Sequence, residues 1–375
     1  METVKLKKIC WITADCFLQV DEPIIPLINN IYELTWFVIL PKQLSMTIDN
    51  EKRLKGFSKN HEINTEFCFL SYRLRDLRII KEYIKVCIQI RKLEPDLIYC
   101  NALYYPYFYI VLLLLLGRDK VVYAEHDVVD HFKMKNRLVM QIYKKFIFNV
   151  FKNFQVFSKN QLAIFIKKHP KKNVFMAPLA ISNYGDSKVS PNRDIINFLF
   201  FGSIRENKGL SFLIMAGNKL ALKYKDSFSI TIAGKADDWE KYEELIENKT
   251  IFKTIIREIH NSEIPDLFNS AHYLVLPYID ITQSGPLMIA LNYNIPIIAS
   301  DLPGFREYIE DDLNGYLFSS KNVDSLATVM EKSINSFSSN YINLKSNQKI
   351  FIKENVSIQS IVQLYVNFFK TIIKY

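Results

Sequence analysis

The feature that most constrains the fold is a pattern of short apolar runs, each leading into a helical segment, that occurs in two rounds. In the first round, 8–14 reads as a strand, 23–32 as a helix and 34–41 as a second strand. A third strand follows at 66–71, then a helix over 74–93 with apolar residues near helical spacing. "DLIYC" at 96–100 and "VVYAE" at 121–125 are apolar pentads bounded by polar residues, the profile of central parallel strands. The second round opens with "NFLFFG" at 197–202, a helix from Leu210, and "SITIA" at 229–233 ending at Gly234. Strands at 273–277 and 295–300 follow, each with a loop and a helix behind it. This alternation predicts α/β architecture, with parallel sheets covered by helices on both faces.

A chain of 375 residues is too long for one ordinary core and comfortable for two domains. The restart falls in the polar stretch 182–192, which contains Gly185 and Pro191. The expected division is a first domain over 1–185, a second over 186–355, and a closing segment 356–375. The helix in that segment, apolar and aromatic on one side, is expected to pack back on the first domain.

Hydrophobic residues at 49% and charged residues at 23% exclude a disordered chain. The five cysteines, Cys10, Cys16, Cys68, Cys87 and Cys100, are odd in number and lack CxxC spacing, so neither a disulfide framework nor a zinc site is expected. The first nine residues are charged and run into a strand, so no signal peptide is expected. The longest apolar run, 102–117, is shorter than a bilayer span and contains Pro106, so any membrane contact should be peripheral, at the cytoplasmic face.

Charge is unevenly spread. From His131 to Gly185 there is no Asp or Glu, while Arg137 and ten lysines, from Lys133 and Lys135 through Lys144 and Lys145 to Lys172, fall inside the stretch. Leu138, Val139, Ile142, Phe146, Ile147, Val150, Phe151 and Phe154 are interleaved with them. Such a pattern over 131–172 suits a helix lying on an anionic membrane surface, or equally a solvated basic face around an ordinary core. No nucleic-acid module accompanies the charge, and no nucleic-acid partner is expected.

The chemistry concentrates in the second half. "SIRENKGL", Ser203 to Leu210, joins a strand to a helix, and Arg205 and Lys208 add positive charge where a helix start already favours an anion. Further on, Thr282-Gln283-Ser284-Gly285 leads into a helix with Pro286 in its first turn and Ser284 as N-cap, a second anion site expected to face the first. Asn294 sits where that helix must stop. A sugar-nucleotide diphosphate requires such convergence, because the leaving group gains negative charge as the glycosidic bond breaks. In the first half, His126 and Asp127 follow the strand 121–125 directly, at the carboxyl end where open α/β sheets bind ligands. Asp127 is expected to orient His126. Asp15 and Asp21, after the first strand, are weaker candidates for contact with an acceptor.

The elements "FFGSIRENKG", "ITIAGK", "AHYLVLPYIDITQSG", "IPIIASDLPGFREYI" and "DLNGYLF" in 197–335 resemble, in order and spacing, the donor-binding domain of family 4 glycosyltransferases. The Thr-Gln-Ser-Gly loop is similar to that of enzymes of bacterial surface-polysaccharide assembly. The resemblance implies a GT-B fold, two Rossmann-like domains with an interdomain cleft. It further implies a retaining transferase that moves a sugar from a nucleotide-sugar donor to a glycan acceptor, lipid-linked or a free oligosaccharide. The six histidines are scattered and there is no DxD triplet, so no metal and no other cofactor is expected. By the same resemblance, Lys208 and Arg205 hold the diphosphate, and Gln283, Ser284 and Gly285 contact phosphate or sugar. Arg257 to Ile259 lie by the nucleotide base, and His126 lines the cleft near the reacting sugar. Two departures stand out. Ile281 and Ile289 occupy positions where the family carries glutamates, and Ser203 replaces an arginine after the strand-ending glycine. They leave two rivals open: a non-catalytic protein that binds sugar nucleotides or glycans, and another enzyme on the same scaffold, such as a nucleotide-sugar epimerase.

Overall fold

Apolar strands, most of them feeding a helix, build two parallel sheets in a computed structural model that describes residues 6–41, 46–73, 76–101, 106–128, 137–192, 194–224 and 226–373. The chain divides into two compact units, Met1–Ala180 together with Ile358–Tyr375, and Ile181–Ser357.

The first unit holds β1 (Lys8–Ala14), β2 (Glu33–Pro41), β3 (Asn64–Leu70), β4 (Leu97–Asn101), β5 (Val121–Glu125), β6 (Asn153–Val156) and β7 (Asn173–Met176). They lie side by side in the order β3-β2-β1-β4-β5-β6-β7, every pair parallel. Each residue of β4, β5 and β6 is buried, as expected of strands covered on both faces. The chain steps outward from β1 to β3 and then returns to the other side of β1. The β1–β4 junction is therefore a switch point, where diverging connections open a crevice at the carboxyl ends. Thr13 and Asn101 are register partners there.

The second unit repeats this plan with β8 (Ile196–Phe201), β9 (Phe228–Ala233), β10 (Phe252–Ile255), β11 (Tyr273–Leu276), β12 (Ile297–Ser300) and β13 (Gly315–Phe318). The order β10-β9-β8-β11-β12-β13 puts its switch point between β8 and β11.

Several elements differ from expectation for local reasons. The helix expected over 23–32 is shorter, Ile25–Asn29 with Pro26 in its first turn, and a separate helical turn, Leu18–Asp21, precedes it. The helix expected over 74–93 begins only at Ile79, after Asp76 has taken the Arg78 backbone N–H into a turn. The apolar run 102–117 yields the helix Pro106–Leu116, with its first four residues outside the described set. No helix among the described residues is long and apolar enough to cross a membrane.

The basic stretch 131–172 is not one surface helix. Lys133 and Lys135 lie outside the described residues, and the remainder forms the helix Arg137–Val150, β6, the helix Lys159–Lys168 and an approach to β7. Ile147, Phe151 and Phe154 go into the core, whereas Leu138, Val139 and Ile142 stand 71%, 64% and 63% exposed.

The closing helix Ile358–Ile372 belongs to the first unit. Ile361, Tyr365 and Phe369 recur every four residues, with Val362 and Val366 beside them, and all five are buried. Tyr365 meets Trp11 of β1 at 5.5 Å between ring centroids, and its hydroxyl accepts a hydrogen bond from Gln155 Nε2 of β6 at 2.7 Å. Burying each such aromatic contributes about 1.5–3 kcal/mol, so the helix is part of the core of this unit.

Candidate active site

At the switch point of the second unit, β8 ends and Gly202 turns the chain at φ 117°. A Cβ placed on Gly202 would stand 3.3 Å from Pro286 Cγ, so the loop after β8 lies against the start of the helix Gly285–Asn292 that follows β11. Gly209 is held tighter still: its Cβ would fall 1.9 Å from the Pro277 carbonyl oxygen. The Ile279 N–H donates to the Asn207 carbonyl at 2.9 Å. These contacts lock the two loops together.

Lys208 sits at the seam. Its ammonium lies 3.8 Å from the centre of the Tyr278 ring. Burial, with the charge of Arg205 added, pushes its pKa down to about 8, while the electron-rich ring face works against that fall. Arg205 itself is exposed. Two backbone donors of this loop are used within it. The N–H groups of Lys208 and Gly209 close a 3-10 turn on the carbonyls of Arg205 and Glu206, and Gly209 separates that turn from the helix Leu210–Tyr224. The loop also carries side-chain charge, with Lys208 at its centre.

Ser284 is the N-cap of the second helix, its Oγ accepting from the Leu287 N–H at 3.3 Å. It is buried, and the Tyr278 hydroxyl lies 3.4 Å from the same Oγ. Burial pushes the Tyr278 phenol up to about 12, so it stays neutral. Of its neighbours in the loop, Gln283 is half-buried and Gly285 exposed. Asn294 adopts φ 52° just past the helix end.

Arg257 and Ile259 lie on the same sheet edge, two strands away. Gly202 N–H donates to Ala233 of β9, and Gly234 N–H donates to Ile255 of β10, both at 3.0 Å. Arg257 is exposed and grips Glu263 through both terminal nitrogens, at 2.9 and 2.6 Å. That pairing and the His260 backbone N–H hold the Glu263 carboxyl down at about 2. Ile259 is half-exposed in the coil after β10. Of the two isoleucines at glutamate positions, Ile281 packs its Cγ2 3.1 Å from where a Gly304 Cβ would be, and Ile289 is only 4% exposed.

The family model described as Glycosyl transferases group 1 matches residues 196–336, the stretch that carries every one of these loops. That stretch belongs to the group 1 glycosyltransferases. An uncharacterised glycosyltransferase of Methanocaldococcus jannaschii is 25% identical over 178 residues, 46% of this chain and 44% of its own length. The chain thus spans about half the length of the curated relatives it matches. Among solved structures, a sucrose-phosphate synthase from Thermosynechococcus elongatus superposes with TM-score 0.73 at 13% identity, covering 97% of this chain and 100% of its own. The Anabaena protein HepE, in complex with UDP and glucose, gives 0.72 at 15%, with the same coverage. These likenesses show the GT-B architecture of two Rossmann-like domains.

The first unit, outside the matched stretch, carries its own polar cluster, at the β1–β4 switch point. His126, just past β5, is stacked between Phe17 and Phe157, each 4.1 Å away between ring centres. Its Nε2 lies 2.8 Å from Asn101 Oδ1, and Gln161 Nε2 donates to its carbonyl at 2.8 Å. Asn101 Oδ1 thus holds the ring at Nε2. The Asp127 backbone donates to Glu125 Oε1, and its carbonyl accepts from Lys144. Lys144 and Glu125 form a buried ion pair at 3.8 Å. Asp15 is half-buried. Asp21 differs from the acceptor-facing role expected of it. It is fully buried, and its oxygens accept from Thr13 Oγ1 at 2.6 Å and Asn101 Nδ2 at 2.9 Å. Sequence reading passed over Thr13, Asn101 and Tyr278. The available signal was a polar residue closing an apolar strand, as in "CWITA" and "LIYCN".

Proposed function

We propose that this chain transfers a sugar from a nucleotide-sugar donor to a glycan acceptor held at a membrane, with retention of configuration and without a metal ion. The observation that carries the reading is the seam at the β8–β11 switch point. There two interlocked loops place a half-buried ammonium, Lys208, over Tyr278, with Arg205 close enough to perturb it. A pyrophosphate leaving group gathers charge in the transition state, and preorganised cations in a partly desolvated site stabilise it as the bond breaks. Lys208 and Arg205 supply positive charge of the kind a metal would otherwise bring. HepE, solved with UDP and glucose, makes uridine donors the first to try.

The membrane part rests on the helix Arg137–Val150, where Leu138, Val139 and Ile142 form an exposed apolar strip next to exposed Lys145. A lipid-linked glycan of surface-polysaccharide assembly fits an enzyme that rests on an anionic leaflet at its cytoplasmic face.

One observation favours a second reading. Ile281 and Ile289 put hydrocarbon where carboxylates would meet the donor sugar and ribose, which suits a protein that binds a sugar nucleotide without turning it over. A thermal-shift screen of nucleotide sugars, followed by single-turnover assay of the stabilising donor with lipid-linked acceptors, separates the two. Stabilisation with release of nucleoside diphosphate supports the transferase, and stabilisation without turnover supports the second reading. No shift with any donor overturns both.

A further inference from the structure

We propose that Asp21, acting through Asn101, fixes which nitrogen of His126 carries the proton, and so makes Asp21 a positioning residue for the sugar contact of that histidine. The proposal rests on the reading above only in assuming that His126 meets a sugar hydroxyl.

What each atom can donate decides the arrangement. Asp21 Oδ1 is 2.9 Å from Asn101 Nδ2, and Oδ2 is 2.6 Å from Thr13 Oγ1. The Trp36 indole N–H is a donor only, and it reaches Thr13 Oγ1 at 2.8 Å, so the threonine hydrogen is directed onto the carboxylate. Above about pH 7, where the Asp21 carboxyl is ionised, it accepts and cannot donate. The Asn101 amide must therefore turn its NH2 to Asp21 and its oxygen to His126, 2.8 Å from Nε2. An amide oxygen accepts only, so Nε2 must bear the hydrogen. A neutral ring then has its lone pair at Nδ1, where it accepts a hydroxyl hydrogen and donates none.

The surroundings make the assignment rigid. Thr13 and Asn101 face each other across β1 and β4, so the carboxylate is gripped by two strand ends at the switch point. Phe17 and Phe157 clamp both faces of the imidazole, with ring planes tilted by 14° and 24°, so the ring has little room to flip and exchange its nitrogens. Gln161 pins the His126 carbonyl. No binding site for the carboxylate itself is implied: it is buried, and its work is done through the amide.

The test is nitrogen-resolved NMR of the full chain labelled with 15N-histidine, with His126 assigned among the six histidines by loss of its signals in His126→Gln. At pH 8 the wild type is expected to show a protonated Nε2 and a bare Nδ1. In Asp21→Asn the substituted amide can donate towards Asn101, whose side chain then turns, and the His126 pattern is expected to move towards protonated Nδ1. A wild type protonated at Nδ1, or an Asp21→Asn spectrum unchanged at His126, overturns the proposal. If Asp21→Asn does not fold, the wild-type spectrum still decides it, together with Asn101→Leu, which should give a mixture of tautomers. None of these readouts needs turnover, so failure of the transferase reading leaves them intact. In a chain that does turn over, Asp21→Asn should lower kcat roughly tenfold or more with donor KM within about twofold.

Discussion

The Lys208 ammonium lies 3.8 Å from the centre of the Tyr278 ring, and this pair joins the loop after β8 to the loop after β11. The aromatic face favours the charge, while burial and Arg205 bring its pKa down to about 8. Below pH 8 the side chain is charged and ready for a diphosphate, and above it the charge is lost. Wild-type affinity for a nucleoside diphosphate should therefore weaken as pH rises through about 8. Lys208→Met keeps most of the stem and should lower affinity about tenfold to hundredfold, as expected for one charge-assisted bond, and flatten that pH dependence. Calorimetric titration at steps from pH 6.5 to 9.5 checks both, and an equal slope in the two proteins would remove Lys208 from the site.

Two glycines in these loops should respond in opposite ways. At Gly209 an alanine Cβ would collide with the Pro277 carbonyl oxygen at 1.9 Å, and φ 63° adds about 1–2 kcal/mol of left-handed strain. Gly209→Ala should cost several kcal/mol and lower Tm sharply. A Cβ on Gly285 meets nothing within 4 Å, so Gly285→Ala should leave Tm nearly unchanged, within about 0.5 kcal/mol of stability, and alter donor binding alone. Thermal unfolding of both variants with and without donor tests the contrast. Equal losses of stability would mean that the two loops are not locked as described.

The same particulars show how much was legible in advance. Apolar pentads such as 121–125 announce central strands because a strand covered on both faces has no solvent side to mark with polar residues. The Ser284 cap and the Asn294 stop follow from local backbone chemistry, and both are found. Asn101 and Asp21 were beyond reach, since their bond spans eighty positions and depends on strand order. The basic stretch misled because periodicity alone does not separate a helix end from the buried strand β6 that follows it.

The exposed strip on the helix Arg137–Val150 makes a separable prediction. Leu138, Val139 and Ile142 point to solvent, so a triple change to serine removes little packing and should shift Tm by no more than a few degrees. Membrane binding through this strip should combine apolar insertion with attraction to anionic headgroups. Flotation with anionic vesicles should capture the wild type, weaken with added salt, and be lost in the triple variant. Capture of both proteins to the same extent would locate the membrane contact elsewhere or nowhere.

Asp21 should leave a signature in stability. Burial pushes its carboxyl from the ordinary value of 3.8 up to about 7, although bonds from Thr13 and Asn101 pull it back. Between about pH 4 and 7 the folded chain therefore keeps a proton that the unfolded chain has released. Because the folded state binds more protons there, stability contributed by this group is present at low pH and is lost as pH rises through about 7. The loss should amount to a few kcal/mol. Asp15, also raised by burial, acts in the same direction. Subtracting the profile of Asp21→Asn from that of the wild type isolates the Asp21 part. Urea unfolding at intervals from pH 4 to 8.5 should show the wild type losing stability relative to the variant across this window. A relative gain with rising pH would mean that the carboxyl is ionised throughout, stabilised by Thr13 and Asn101 more strongly than burial opposes it.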